Sequence, residues 1–202
     1  IFGASGQSCV AGSRLLLHEA ITDQFIEKMR AIATGIKIGD PMLEQTEMGP
    51  LCTFGQLETI ERELAHAKTE GATVICGGQR AKAGSDMFFQ PTIVACPSPD
   101  LRIVDTELFG PVVTVLRFKD EADAIRLANR SEHGLAAGIF TRASARSLRV
   151  AKAVKAGIIW VNTYRAISPI APFGGFNQSG YGREAGAEAI LDYTRTKTTW
   201  IN

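Results

Sequence analysis

Phe2 to Arg14 reads FGASGQSCVAGSR and sets Cys9 among glycines and small residues, next to Gln7 and Ser8. A structural cysteine usually sits among large apolar side chains. A nucleophilic thiolate instead needs room for a substrate and backbone N–H groups that can stabilise negative charge. Gly3, Gly6 and Gly12 permit the close backbone approach that such a site requires. Read from local composition alone, Cys9 is equally well a reactive thiol or an inert loop cysteine.

The elements around it are legible from apolar periodicity. Leu15 to Leu17 read as a strand, followed by a helix with Ile21, Phe25, Met29 and Ile32 on its apolar face. Gly35 and Gly39-Asp40-Pro41 close that helix, and Leu57, Ile60, Leu64 and Ala67 mark a second one ending at Gly71. Thr53-Phe54-Gly55-Gln56 has the form of a capping box at its start. Thr73 to Cys76, Phe88 to Val94 and Val112 to Phe118 read as strands. Beyond Asp120 a helix to Asn129, a strand Ala137 to Thr141, a helix Ser144 to Val154 and a strand Ile158 to Val161 alternate. Helices of this length between apolar strands predict crossover units: an α/β fold with an open, mostly parallel twisted sheet and helices on both faces. A Pro/Gly-rich stretch from Asn162 to Gly182 predicts a long functional loop. Glu184 to Leu191 reads as a short helix, and Thr194 to Ile201 as an edge strand able to pair with another chain.

Composition narrows the partners. The chain has 202 residues, 45% hydrophobic and 21% charged, with a formal net charge of +1, which gives no electrostatic reason to expect nucleic acid or an anionic membrane. No apolar run reaches the roughly 20 residues that span a bilayer. Cys9, Cys52, Cys76 and Cys96 lack Cys-x-x-Cys spacing and the density of a disulfide scaffold, which predicts a reducing, cytoplasmic setting. His18, His66 and His133 stand singly, so no metal site is expected. The chain starts at Ile1, directly on its reactive-looking segment, and reads as part of a longer polypeptide.

Three segments, GQSCVAGSR around Cys9, ELFGPVV from Glu107 and APFGGFNQSGYGRE from Ala171, together resemble the aldehyde dehydrogenase superfamily, in order and spacing from Ile1 to Asn202. The resemblance implies an aldehyde dehydrogenase catalytic-domain fold over residues 1–182. It implies a C-terminal helix and oligomerisation strand over 183–202, and a cofactor-binding domain outside this chain. It further implies that Cys9 attacks an aldehyde to give a thiohemiacetal, which passes hydride to NAD or NADP and leaves a thioester for hydrolysis, with the Cys9 backbone N–H as one oxyanion donor.

Glu107 would bind the nicotinamide ribose hydroxyls, with Phe109 near the nicotinamide ring. Gln56 either reaches the same ribose or serves only to cap its helix. Ser8, Val10, Arg165, Ile167 and Phe173 match residues lining the aldehyde tunnel. Arg165 there would suit an aldehyde bearing a carboxylate. Asn162 either supports the Cys9 loop through its amide or is a turn residue. Gly77-Gly78, Gly174-Gly175 and Gly180-x-Gly182 do not follow a strand as a dinucleotide fingerprint requires, and read as tight turns.

The family's general-base glutamate and side-chain oxyanion asparagine have no counterpart here, so the isolated chain is expected to be inactive although its parent is an enzyme. A homo-oligomeric parent, dimer or tetramer, is expected. Competing readings are a CoA-acylating dehydrogenase and a catalytically silent oligomerisation domain.

Overall fold

The computed structural model describes residues 1–202, which fall into two compact units, Ile1–Leu127 and Ala128–Asn202.

The first unit is built on a four-stranded sheet in the order β1 (Arg14–His18), β4 (Val112–Phe118), β3 (Thr92–Ala95), β2 (Thr73–Cys76). β4 pairs in parallel with both β1 and β3, and β2 adds an antiparallel edge. Val112 to Leu116 are all buried because both faces of the sheet are covered, as expected for a parallel sheet with an almost continuous apolar run. Successive side chains alternate between the faces. Val112 and Leu116 join Val94, Leu57, Ile60 and Leu64 of α2 (Phe54–Thr69), while Val113 and Val115 join Leu17, Ile93 and Ala33 of α1 (Thr22–Gly35).

α2 begins as its sequence predicts, with Thr53 Oγ1 accepting the Gln56 N–H at 3.2 Å. The face of α1 is a correction. Ile26, Met29 and Ala33 pack on the sheet, whereas Ile21, Phe25 and Ile32 are exposed. Two apolar stripes exist on this helix, and the position of the sheet decides which is covered. The strand expected from Phe88 starts only at Thr92, since Pro91 has no N–H to give the ladder. A single turn, α3 (Arg102–Asp105), links β3 to β4.

The first unit ends within α4 (Glu121–Ala128). In the second, β6 (Ala136–Ile139) and β7 (Ile158–Val161) pair in parallel across α5 (Ser144–Ala153), the crossover that the alternating pattern predicts. Two short strands, β5 (His133–Gly134) and β8 (Phe176–Asn177), pair antiparallel. The expected helix from Glu184 is instead a 3-10 turn at Ala187–Tyr193. Thr194 to Ile201 forms no strand and is exposed throughout, for it has no neighbouring ladder against which to form one.

Candidate active site

The Cys9 loop is fixed from both ends. On its N-terminal side Ala4, Ser5 and Gly6 adopt positive φ angles of 52°, 54° and 71°, a tight left-handed turn. The Ser5 hydroxyl, in a residue 3% exposed, donates to the Gly49 carbonyl at 2.8 Å. Gln7 accepts the Cys52 N–H at 2.8 Å and donates to the Pro50 carbonyl at 3.4 Å. A Cβ on Gly6 would lie 2.0 Å from the Gly110 carbonyl oxygen, so only glycine fits there. On the C-terminal side the Thr114 N–H donates to Ser13 O at 2.9 Å, which locks the loop to the register of β1 and β4.

Between these anchors Cys9 is exposed, as is Cys52, while Cys76 is half-buried and Cys96 buried. Burial pushes the thiols of Cys76 and Cys96 up, the latter to about 11, so neither ionises near neutrality.

The second wall comes from the segment after α3. Leu108 is buried in the core and turns its neighbours outward, so that Glu107 is exposed and Phe109, at 40% exposure, holds a positive φ of 50°. A left-handed aromatic residue costs on the order of 1–3 kcal/mol and persists only where its surroundings fix it. Gly110 supplies that constraint, since its Cβ position lies 2.3 Å from Ile60 Cδ1 of α2 and its carbonyl meets Gly6. Ser8, Cys9, Arg14, Glu107, Phe109 and Thr114 consequently line one cavity of about 40 Å³. Its polar lining and size suit at least one water molecule. Residues separated by most of the unit's sequence thus meet as an exposed thiol, a carboxylate and an aromatic ring.

Two further candidates of this unit lie elsewhere. Val10 is 5% exposed, a buried core residue outside the cavity lining. Gln56 is half-buried in the first turn of α2, where its backbone N–H serves the Thr53 cap, and it too is outside the lining.

Arg165, Ile167 and Phe173 belong to the second unit. Arg165 and Ile167 are exposed on a loop held by the Trp160 indole, which donates to Ala166 O at 2.8 Å, and Arg165 itself has a positive φ of 62°. Phe173 is half-buried and exchanges two backbone hydrogen bonds with Glu184, at 2.7 and 2.8 Å. The Asn162 amide accepts the Thr141 N–H and donates to the Thr141 carbonyl, each at 2.9 Å.

Sequence reasoning missed the anchors Ser5, Ile60 and Arg14, whose guanidinium donates to the Leu127 carbonyl at 3.1 Å. Ser5 and Arg14 flank the thiol inside the motif already singled out, so their position was the available signal; Ile60 gave none beyond its helical periodicity. No group of three or more His, Cys, Asp or Glu side chains is placed to hold a metal ion, and no helix is long and apolar enough to cross a membrane.

Residues 1–199 match the aldehyde dehydrogenase family. Over all 202 residues the chain is 48% identical to a (Z)-2-((N-methylformamido)methylene)-5-hydroxybutyrolactone dehydrogenase of Acinetobacter baylyi, covering 41% of that protein. It is 44% identical to an aldehyde dehydrogenase of Emericella nidulans over 98% of this chain and 40% of the relative. The chain therefore spans about two fifths of the length of these curated relatives.

Among solved structures, betaine aldehyde dehydrogenase of Staphylococcus aureus in complex with NAD+ superposes with a TM-score of 0.91 at 40% identity, over 94% of this chain and 38% of that one. A point mutant of the same enzyme, with NAD+ and a BME-modified cysteine, matches with a TM-score of 0.91 and 40% identity, over 94% of this chain and 39% of that chain. With a parallel sheet that carries an exposed thiol loop against an ELFGP segment, this chain belongs to the aldehyde dehydrogenase family.

Proposed function

We propose that this chain supplies the nucleophilic half of an NAD(P)-dependent aldehyde dehydrogenase, the oxidation of an aldehyde to a carboxylic acid through Cys9. The observation that carries the reading is the single cavity lined by Cys9, Glu107 and Phe109.

In this reading the Cys9 thiolate forms a C–S bond to the aldehyde carbon, and the carbonyl oxygen takes the negative charge as a thiohemiacetal alkoxide facing the Cys9 backbone N–H. Loss of hydride from that carbon leaves a thioester on Cys9. Water then cleaves the C–S bond, releasing the acid and returning the thiol. Bound NAD(P)+ supplies the acceptor for the hydride. The residues present fit it: an exposed carboxylate accepts two ribose hydroxyl protons, and an exposed ring offers a flat face to nicotinamide. Gln56 remains a candidate second contact to that ribose. Ser8, Val10, Arg165, Ile167 and Phe173 remain the candidate aldehyde contacts, with Arg165 favouring a substrate that bears a carboxylate.

We assign the base that activates water, the side-chain oxyanion donor and most of the cofactor contacts to residues outside this chain, with 1–182 acting as the catalytic domain. Residues 183–202 are then free to pair with a second subunit in a homo-oligomer. A reducing, cytoplasmic setting suits the free thiols. The exposure of Cys9 favours this reading over a silent oligomerisation domain.

Two measurements test it. Alkylation by iodoacetamide across pH should label Cys9 faster than Cys52, Cys76 or Cys96; equal rates at Cys9 and Cys52 would remove its physical basis. The isolated chain, mixed with NAD+ or NADP+ and a panel of aldehydes, should produce no reduced cofactor, and robust turnover would overturn the assignment of the remaining groups to other residues.

A further inference from the structure

Glu63 is 1% exposed on α2, outside the lining of the Cys9 cavity, and the chemistry above makes no use of it. Its Oε1 accepts from Arg62 Nε at 3.3 Å and from the second guanidinium nitrogen of Arg102 at 2.7 Å, while Oε2 is buried with no hydrogen-bond partner. Such an arrangement is a poor way to gain stability, because an apolar side chain of similar volume usually serves as well. It does fix a direction. Arg102 opens α3, and its own N–H donates to the carboxylate of Glu70, the residue that caps the C-terminus of α2, at 3.3 Å, so α2 and its cap hold it by two acidic side chains.

From Arg102 the constraint passes along the backbone. The Arg102 carbonyl accepts both the N–H and the hydroxyl of Thr106, at 3.1 and 2.9 Å. The next residue is Glu107. At the far end of the same segment Gly110 rests against Ile60, one turn before Glu63 on the same face of α2. Glu107 and Phe109 thus lie on a short bridge whose two ends are gripped by one helix, at one end by a buried charge and at the other by close packing.

We propose that Glu63, acting through Arg102, is a positioning residue that sets the placement of Glu107 and Phe109 for the nicotinamide ribose and ring. The proposal rests on the reading of Glu107 as a cofactor contact. Charge holds the bridge where packing alone would let it slide, since a guanidinium bound to a fixed carboxylate has a defined orientation and an apolar contact does not.

The test separates position from stability. In the Glu63→Leu/Arg102→Met double variant apolar surface replaces the pair, so the unfolding midpoint should stay close to that of the parent sequence. Amide exchange at Thr106 to Gly110, followed by NMR, should nevertheless rise about tenfold, with the amides of β4 unchanged. In the full-length protein the same change should raise KM for the cofactor about fivefold and leave KM for the aldehyde alone.

Glu63→Gln keeps an acceptor for Arg102 and should fall between, with exchange raised about two- to threefold. It also keeps the proposal testable if the double variant does not fold. Parent-like exchange at Thr106 to Gly110 in either variant would overturn the proposal, as would an unchanged cofactor KM in the double variant. Glu107→Ala is the control: a normal cofactor KM in that variant would defeat the reading of Glu107, while the exchange data still judge Glu63.

Discussion

The loop that carries Cys9 and the loop that carries Arg165 are both irregular and both exposed, yet they are held by different means. The first is clamped by backbone contact too close for any side chain, by a buried serine hydroxyl and by the register of a sheet covered on both faces. The second is held mainly by individual side chains, an indole N–H on Ala166 and an amide on Thr141, with the Tyr164 ring packed on Trp160 and Gly138. Close packing fails all at once, whereas separate hydrogen bonds fail one at a time. Under the proposed function, a nucleophile that meets a carboxylate and a ring within a small cavity needs the first kind of support, and a loop that contacts only part of a substrate tolerates the second.

The sharpest attempt to break this contrast is Gly6→Ala. The new Cβ would meet the Gly110 carbonyl at 2.0 Å with φ at 71°, so the Cys9 loop and the Phe109 loop must separate. We expect a loss of on the order of 4 kcal/mol in chemical denaturation, or no folding at all, together with altered alkylation of Cys9. Gly180→Ala in the second unit has open space around it and only a positive φ of 97° to overcome, so about 1 kcal/mol is expected. Similar losses for the two would erase the distinction.

The buried charge on α2 gives the next largest effect. Glu63→Ala opens a space in the core, while the Arg102 side chain, 55% exposed, turns to water, for an expected loss of about 3 kcal/mol. The pair of exposed Arg126 and half-buried Asp123, three residues apart on α4, should give a much smaller change on removal of Arg126.

How much of this was legible in the sequence depends on what each residue answers to. β7 was readable residue for residue, because an apolar run between a glycine and a polar turn has one interpretation. Cys9, Glu107 and Phe109 were singled out through motifs, and the structure brings them to the lining of one cavity. The covered face of α1 was not, because Phe25 and Ile32 make as good a stripe as Ile26 and Met29 until the sheet is in place. Glu63 gave no signal, since a charged residue in a helix is ordinarily solvated. Its burial follows from a partner in a different element, and composition does not reveal partners. Thr194 to Ile201 alternated like a strand but lacks the second strand that would make it one.

Cys96 sharpens the contrast from inside the first unit. Its thiol is pushed to about 11 by burial, above the value of an unfolded cysteine, so the folded state keeps its proton where the unfolded state has lost it. Stability from this group is complete below pH about 9 and falls as pH rises towards 11, by about 2 to 3 kcal/mol in total. Denaturation midpoints should therefore fall more steeply over that range in the parent sequence than in Cys96→Ala. Equal slopes would mean that the core beneath α2 is wetter than its burial implies.

Trp160→Phe should produce a small change and is the most direct probe of the second kind of support. The ring is 5% exposed and packs on Tyr164 with centroids 4.8 Å apart, contacts that phenylalanine largely keeps. What it removes is the indole N–H bonded to Ala166 O, worth about 1 kcal/mol. The Ala166 carbonyl lies in an exposed residue and can turn to water, so the bond is lost without an orphaned acceptor inside the core. Amide exchange should rise across 162–167 while α5 and β6 keep their protection. A cooperative collapse of the whole second unit would show that its loop, like the one around Cys9, is held by packing rather than by separate bonds.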